Sequence, residues 1–312
     1  MLGIPPSVGV VIVSHNSQED LPPLLAAVKG KGVRVVVVDS GSTDSSVAVA
    51  RACGADAVLA NRENVGFSVG CNIGAAALDT DVVAFVNPDA RPSATDLGQL
   101  AAQVTPVHPV WSPRFVNLDG TDQHHYMRFP RALSGLFCFT SGGSRIDKLF
   151  GEPLMRRRHY GYRASAQQRV DMASAAVLVA DRALFLEVGG FDPRMWLFFS
   201  DTRLHRVLAD RGTPGRVDWT VRVAHRGQGS LAGLDPSWTA AVFLADYAAY
   251  ARATYSWWGR AMTLGGLALL GGLVPAASRL ARGEPRQARR VLHVVRLILA
   301  GGSGAAIPDR RG

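Results

Sequence analysis

Carboxylate and hydroxyl side chains end several apolar runs of the sequence. Ser14 ends the first run, Asp39 follows Val33–Val38, and Asp89 follows the run that ends at Val86. Such groups accept hydrogen bonds from a polar ligand, and carboxylates also coordinate hard cations. The stretch Asp39-Ser-Gly-Ser-Thr-Asp44 is typical of a binding edge, and an ordinary strand-to-helix turn is the alternative for this stretch alone.

The apolar runs themselves predict the elements that carry these groups. Val33–Val38 is β-branched without polar alternation, as in a central strand of a parallel sheet covered on both faces by helices. Strands of this kind alternate with helical patterns, of which Leu21–Val28 is the first. The sequence therefore predicts an α/β fold with a Rossmann-like, doubly wound, mostly parallel sheet. Its polar strand ends should meet at one edge, where such sheets bind ligands.

Length and composition narrow the class of protein. The chain has 312 residues and 47% hydrophobic residues, enough for one large domain with an appended element. Three cysteines without paired spacing indicate neither disulfides nor a zinc site. The first apolar run lacks a basic segment before it, so we expect a strand there and no signal peptide. The net charge of +9 favours anionic partners, but no nucleic-acid-binding motif accompanies it.

Two common nucleotide fingerprints are missing. No Gly-x-Gly-x-x-Gly follows the first strand, and no Gly-Lys-Ser/Thr occurs, which argues against a dehydrogenase or a P-loop enzyme. Between about residues 105 and 169 we expect loops and short strands. The pair His124-His125 is interpreted as surface histidines rather than metal ligands, and Arg156 to Arg158 as a solvated charge run rather than a phosphate or lipid contact.

The second half brings further polar groups to element ends. Val170 to Ala180 is predicted as one strand, and Val217 to Ala224 as a late strand that delivers His225, with Gln228 and Ser230, to a glycine-rich loop. An aromatic segment precedes Ser200-Asp201, where a helix should begin. Helix capping and the helix dipole explain Ser200 and Asp201 without any chemistry.

Taken in order, these motifs resemble the family 2 inverting glycosyltransferases of GT-A fold. The likeness covers about residues 8 to 230, and the Asn87-Pro88-Asp89 form is similar to the bacterial rhamnosyltransferase branch. The motifs that carry it are Ser14-His15-Asn16, Asp39 to Asp44, Asn64-Val-Gly66-Phe67, Asn87-Pro88-Asp89, Gly189-Gly190-Phe191-Asp192, Ser200-Asp201 and His225.

The resemblance implies roles for a set of nucleotide-sugar-binding residues. Asp39 would hold the base or ribose, with Ser14 and Asn16 near the same base. The donor-covering loop would contain Asn64, Gly66 and Asn72. Asp89 would bind a divalent Mg²⁺ or Mn²⁺ that bridges the donor diphosphate, helped by His225, for which a plain strand-end hydrogen bond is the alternative.

The resemblance also implies that Asp201 is the general base of a single displacement. Trp196, Phe198 and Phe199 would flank the acceptor sugar or belong to the core. The sequence departs from the family at Asn87, which brings no charge to the metal, and at Ser200 and Arg203, where relatives carry acids. A catalytically silent relative that still binds nucleotide sugar is therefore an alternative.

The last third is basic and apolar. Ala261–Ser278 has no charged residue but contains four glycines and Pro275, and Val291–Ala300 is amphipathic. Interfacial helices are the favoured interpretation, with a membrane span or hairpin and a soluble helical cap as alternatives. We expect a GT-A domain over residues 1–235 and a helical, membrane-associated region over residues 236–312.

These inferences define one functional expectation. The chain would be a hexosyltransferase acting in cell-envelope glycan synthesis at the cytoplasmic side of the plasma membrane. It would move rhamnose from dTDP-rhamnose onto a lipid-linked or polysaccharide acceptor, with a UDP- or GDP-sugar donor as the alternative. Nucleic acid is not an expected partner.

Overall fold

The computed structural model describes residues 6–123, 126–140, 143–144, 146, 168–227, 235–302 and 304–307. The chain divides into two compact units that alternate along the sequence. Unit 1 comprises Met1–Met127, Tyr162–Asp192 and Leu204–Ala232, and unit 2 comprises Arg128–Gly161, Pro193–Arg203 and Gly233–Gly312. The division of the chain at residue 235 stays a prediction.

The strands of the described residues all belong to unit 1. They are β1 (Val8–Ser14), β2 (Val33–Ser40), β3 (Ala57–Asn61), β4 (Val82–Val86), β5 (Ala90–Arg91), β6 (Val110–Val116), β7 (Tyr126–Met127), β8 (Gln168–Arg169), β9 (Met172–Ala173), β10 (Val177–Asp181) and β11 (Arg216–His225).

The helices lie in both units. They are α1 (Leu21–Val28), α2 (Ser46–Ala52), α3 (Gly66–Ala76), α4 (Ala94–Ala101), α5 (Ala132–Phe139), α6 (Arg182–Glu187), α7 (Ser200–Asp210), α8 (Pro236–Thr254), α9 (Trp257–Gly266), a π-helical segment (Leu267–Leu273), α10 (Val274–Ala281), α11 (Pro285–Leu299) and a 3₁₀ turn (Gly304–Ala306).

The main sheet of the described residues has the order β3-β2-β1-β4-β10-β6-β11-β5, with β8 added beside β11. The first four strands of this order are parallel to one another, and β6 is parallel to β11. In contrast, β10 is antiparallel to both of its neighbours. The predicted α/β fold with a Rossmann-like, mostly parallel sheet is thereby confirmed, with antiparallel strands added at β10, β5 and β8.

Two predictions for the middle of the chain are wrong in detail. Residues 170–180 form no single strand, because the Ser174 hydroxyl accepts a hydrogen bond from the Ala176 N–H and makes a local turn between β9 and β10. The stretch expected to contain only loops and short strands also contains α5. This helix packs within unit 2, where the Leu136 side chain is buried, and such tertiary contacts override weak local propensity.

Helices cover both faces of the sheet. One core cluster joins alternate β1 residues, including Val10 and Ile12, to α1, α2 and α4. The other joins Val11 to α3, α6 and α7. Because successive side chains of a strand point to opposite faces, the continuous valine runs are buried on both sides.

Helix α3 lies unusually close to β1. A Cβ atom at Gly70 would lie 2.8 Å from the Val13 side chain, and one at Gly74 would overlap the Val11 side chain. The spacing of four residues between these glycines therefore serves close packing of helix on strand.

Unit 2 has its own core of aromatic and aliphatic side chains. Phe199, Tyr247 and Tyr250 are buried there. Residues Trp257–Ala281 are continuous helix with a mean hydropathy of 1.5 over the most apolar 18-residue window, long and apolar enough to cross a membrane by length and composition. Only 22% of that window is buried inside the protein.

Candidate active site

Strand register brings the first polar residues to one edge of the sheet. Ser14 of β1 lies opposite Asp39 of the parallel strand β2. On the other side of β1, Val11 lies opposite Phe85 of the parallel strand β4, so Asn87 and Asp89 follow at the same edge. This edge is the carboxyl end of the parallel strands, where α/β sheets bind ligands.

The loops after β1 and β2 are hydrogen-bonded to each other. The Asn16 side-chain oxygen accepts the Thr43 N–H at 2.8 Å, and the Asn16 N–H donates to the Ser42 hydroxyl at 2.9 Å. Asn16 has a φ of 51°, a left-handed conformation that asparagine tolerates better than most residues. The Asp39 carboxylate is almost fully buried and accepts the Ser42 N–H at 3.0 Å. The rim that would face a nucleotide is therefore fixed before any ligand binds.

The residues of the predicted donor-covering loop contact two different parts of unit 1. The Asn64 side-chain oxygen accepts hydrogen bonds from the Ser40 hydroxyl at 2.9 Å and from the Gly66 N–H at 3.0 Å, which joins this loop to the end of β2. The Asn72 amide instead forms two hydrogen bonds with the backbone of Phe191, at 2.7 and 2.9 Å. Asn72 thus fastens α3 to the segment after α6, whereas Asn64 and Gly66 lie beside Asp39.

Asp89 and His225 form a buried pair. Strand β11 places His225 opposite Ala90, and the His225 Nε2 atom lies 3.4 Å from the Asp89 Oδ1 atom. Gln123 contacts the other side of the imidazole: its side-chain oxygen lies 3.1 Å from the His225 Nδ1 atom. The Gln123 amide nitrogen donates to the Asn117 side-chain oxygen at 2.6 Å and to the His225 carbonyl.

These contacts define which imidazole nitrogen is bonded to Gln123 and which one faces Asp89. Because the Gln123 amide nitrogen donates to two oxygens, its side-chain oxygen is the atom that accepts a hydrogen bond from His225 Nδ1. The His225 Nε2 atom then faces a carboxylate oxygen 3.4 Å away. A carboxylate oxygen and an imidazole nitrogen on the same side of a site are a pair that could bind one cation.

The donor set therefore fits a divalent ion held by few protein ligands. Carboxylate and imidazole are both ligands of Mn²⁺, and Mg²⁺ sites keep several waters and substrate phosphate oxygens. Among the described residues, no group of three or more His, Cys, Asp or Glu side chains could hold a metal. Asp89 and His225 could thus supply two ligands, with the remaining positions left to a diphosphate and water.

Asp20 fixes Arg226, the residue that follows His225. Its two carboxylate oxygens accept hydrogen bonds from Arg91 at 2.8 Å and from Arg226 at 2.6 Å. The Arg226 N–H also donates to the Asp89 carbonyl at 3.1 Å. These bonds hold the ends of β5 and β11 against the start of α1.

Asp201 belongs to unit 2 and lies in the first turn of α7. It is partly exposed, and its Oδ1 atom accepts the Thr202 N–H at 2.7 Å. The preceding Phe199 has a φ of 63°, which is rare for a bulky residue and marks a position held by its surroundings. The role of Asp201 as a base, and its convergence with Asp39 and Asp89, stay predictions.

Asp246 of α8 organises the segment that leads to Asp201. Its buried carboxylate accepts the backbone N–H groups of Trp196 at 3.1 Å and of Leu197 and Phe198, each at 2.8 Å. Burial raises the pKa of Asp246 to about 6, although hydrogen bonds from these amides and from that of Gly304 oppose the shift. The sequence prediction missed this residue, whose signal is a lone acid within a 19-residue apolar helix.

The aromatic residues before Asp201 belong largely to the core. Trp196 and Phe199 are at most 9% exposed, and the Phe198 ring lies 5.1 Å from that of Phe243. This agrees with the core alternative for these residues. His124-His125, Arg156 to Arg158, Gln228 and Ser230 lie outside the described residues, so their predicted roles stay predictions.

Part of the chain matches a family model and a curated relative. Residues 9–160 match the model named Glycosyl transferase family 2. An uncharacterized glycosyltransferase of Mycobacterium tuberculosis (strain ATCC 25618 / H37Rv) is 38% identical over 98 residues, which cover 31% of this chain and 44% of the relative. The match therefore spans less than half the length of that relative.

Two solved structures share the fold. A mannosyltransferase from Pyrobaculum calidifontis in complex with GDP-Man and Mn²⁺ has a TM-score of 0.54, 17% identity, and coverage of 96% of this chain and 86% of its own. GalNAc-T7 with UDP, GalNAc and Mn²⁺ has a TM-score of 0.50, 16% identity, and coverage of 70% and 44%. At these identities the likeness concerns the fold. The chain is therefore similar to glycosyl transferase family 2 over residues 9–160, and it shares its fold with these two glycosyltransferase structures.

Proposed function

We propose that the chain is an inverting glycosyltransferase that moves a sugar from a nucleoside diphosphate to a hydroxyl group of an acceptor saccharide. The observation that carries this proposal is the buried Asp89–His225 pair at the ligand-binding edge of a family 2 domain. In this proposal a divalent ion bound to the donor diphosphate would have Asp89 as its carboxylate ligand and His225 as its imidazole ligand. Both solved neighbours hold Mn²⁺ with a nucleotide or nucleotide sugar, which supports a donor of this class.

In this proposal Asp201 is the catalytic base. Its carboxylate takes the proton of the acceptor hydroxyl as the hydroxyl oxygen attacks the anomeric carbon. The new C–O bond forms on the face opposite the departing diphosphate, whose bond to the sugar breaks and which keeps the electron pair. A bound divalent ion would neutralise the leaving group. One displacement inverts the anomeric centre and needs no second carboxylate.

Donor binding belongs to the sheet edge. Asp39, with Ser14 and Asn16, would hold the base and ribose, and Asn64 and Gly66 would lie over the donor. We propose dTDP-rhamnose as the donor, with UDP- and GDP-sugars as alternatives. Thermal-shift measurements of the whole chain with dTDP-, UDP- and GDP-sugars, each with and without Mn²⁺, distinguish these donors, because ligand binding stabilises the folded state by mass action. No shift with any of the three nucleotide sugars would contradict the proposal.

Asp201→Asn tests the base. We expect turnover to fall at least about 100-fold, the lower end of what a positioned general base contributes, while the donor-induced thermal shift stays unchanged. Asp210→Asn is the matched control, since Asp210 lies on the same helix, is exposed, and pairs with Arg206 at 3.1 Å. Unchanged turnover of Asp201→Asn would refute the assignment.

The competing function is a catalytically silent nucleotide-sugar-binding scaffold. Ser200 favours it, because relatives carry a glutamate at this place and a hydroxyl cannot replace that charge. A wild-type chain that gives the donor-induced shift, yet forms no product with lipid-linked acceptors, would support the scaffold over the enzyme.

The acceptor proposed is a lipid-linked or polysaccharide saccharide at the cytoplasmic membrane surface. Exposed apolar side chains and arginines of the helices after residue 256 support attachment at the interface. Trp257 and Trp258 are 65% and 66% exposed, an unusual state for tryptophan in water but a common one at a membrane interface. Cell-envelope glycan synthesis is the process that such an acceptor would serve.

A further inference from the structure

A cleft of about 730 Å³ lies within unit 2, between α8, the π-helical segment, α10 and α11. Its size is within the range of pockets that bind small molecules. Neither the nucleotide-sugar residues nor Asp201 line it.

The floor of the cleft is apolar and fixed. Trp238, Ala241, Val295 and Ile307 are each less than 10% exposed and line it. The Trp238 indole N–H donates to the Ile307 carbonyl at 3.1 Å, which satisfies the polar atom of this side chain. A hydrocarbon group is therefore the chemistry that this floor accepts best.

The rim of the cleft is polar and mainly cationic. Arg279, Arg290 and His293 line it, together with one carboxylate, that of Asp235. The Asp235 carboxylate accepts the Ser237 N–H at 2.8 Å and caps α8. Arg279 is paired with Glu284 at 3.2 Å, whereas Arg290 is exposed and forms no ion pair with a carboxylate of the described residues. An anionic group at this rim would meet an available guanidinium.

We propose that this cleft binds a single hydrocarbon chain that ends in a phosphate or diphosphate, with the chain on the Trp238 floor and the phosphate at Arg290. The volume of the cleft lies within the range of pockets that hold molecules of a few tens of non-hydrogen atoms, which includes a short prenyl chain with a phosphate. The inference deepens the proposed function, because it assigns a place to the lipid of a lipid-linked acceptor.

Calorimetric titration of the full chain with farnesyl phosphate, below its micelle concentration, tests the inference. We expect one site, and at least tenfold weaker binding of both farnesol, which lacks the charge, and inorganic phosphate, which lacks the chain. Arg290→Gln should weaken farnesyl phosphate binding about tenfold, because a charge-assisted contact is lost. Ala240→Trp should abolish it, since Ala240 is exposed and lines the cleft, so that the indole fills the space without entering the core.

Arg286→Gln is the matched control. Arg286 lies on α11, is exposed, and is absent from the lining of the cleft, so its replacement should leave binding unchanged. The inference is overturned if Arg290→Gln and Ala240→Trp both bind like wild type, or if inorganic phosphate or short-chain phosphatidylglycerol binds as tightly as farnesyl phosphate. The nucleotide-sugar thermal shift separates the two proposals. If farnesyl phosphate binds but no nucleotide sugar gives a thermal shift, the cleft assignment is supported and the transferase proposal is contradicted. If a nucleotide sugar gives a shift but farnesyl phosphate does not bind, the transferase proposal is supported and the cleft assignment is contradicted.

Discussion

The Asp246 carboxylate is a buried acid whose partners are backbone amides. Burial raises its pKa from 3.8 to about 6. The folded chain therefore binds a proton more tightly than the unfolded chain, and protonation of this group favours folding. Protonated Asp246 contributes about 3 kcal/mol to the free energy of unfolding. This contribution is fully present below about pH 4 and is lost as the pH rises through about 6.

Asp246→Asn removes this titration. As the pH rises from 3 to 8, the wild-type protein should lose about 3 kcal/mol more of its free energy of unfolding than the variant does. Denaturant unfolding at both pH values measures the difference, and Asp210→Asn, on the exposed face of α7, should retain the wild-type slope. Equal slopes for wild type and Asp246→Asn would show that the carboxyl group titrates alike in both states.

Gln123 is the residue whose effect on a metal is most specific. Its side-chain oxygen accepts a hydrogen bond from His225 Nδ1 and so orients the imidazole with Nε2 toward Asp89. Gln123→Leu should weaken Mn²⁺ affinity by about 10- to 100-fold in the presence of nucleoside diphosphate, the range typical for loss of a bond to a metal-binding histidine. Calorimetry with Mn²⁺ measures this, and nucleotide binding without metal serves as the control. An unaltered Mn²⁺ affinity would exclude His225 as a ligand oriented in this way.

At the scale of elements, α3 and β1 approach each other more closely than a side chain between them allows. Gly74→Ala should lower the free energy of unfolding by about 1–3 kcal/mol, because the added methyl group overlaps Val11. Gly98→Ala is the matched control: a Cβ at Gly98, also in a helix, meets nothing within 4 Å. That variant should gain about 0.5–1 kcal/mol from helix propensity. Denaturant unfolding of both variants checks the opposite signs, and a destabilised Gly98→Ala would mean that the helical glycines share another role.

The strands that end at the site residues could be predicted from the sequence, because a strand is recognised from neighbouring residues alone. Continuous valine runs that end in Ser14, Asp39 and the Asn87-Pro88-Asp89 turn need only neighbouring residues to be recognised, and register then brings their ends to one edge. The turn at Ser174 could not be distinguished from strand by composition, because one serine hydroxyl decides it.

Other parts of the site depend on partners far away in the sequence. The amides of residues 196–198 bind a carboxylate about fifty positions later, and Gln123 reaches His225 across about a hundred. No periodicity or short motif encodes such pairs. For the same reason Phe199, which looks like an ordinary core aromatic, gave no sign of its positive φ.

At the scale of the whole molecule, membrane attachment is the property most open to test. Trp257→Ser combined with Trp258→Ser should reduce cosedimentation with phosphatidylglycerol vesicles at least tenfold, because two exposed indoles that can enter the interface are lost. Leu118→Ser is the control, since Leu118 is 68% exposed but belongs to unit 1. Equal reductions for the two variants, or none for the double variant, would contradict attachment through α9.

The alternation of the two units along the sequence has a consequence for synthesis on the ribosome. Unit 2 draws on residues 128–161, 193–203 and 233–312, so its core requires contacts between segments made at different times. The amides before Asp201 emerge well ahead of the Asp246 carboxylate that binds them. Asp201, the proposed base, is therefore synthesised before the Asp246 carboxylate that fixes the segment leading to it. We expect Asp201 to reach its native position only after α8 has left the exit tunnel.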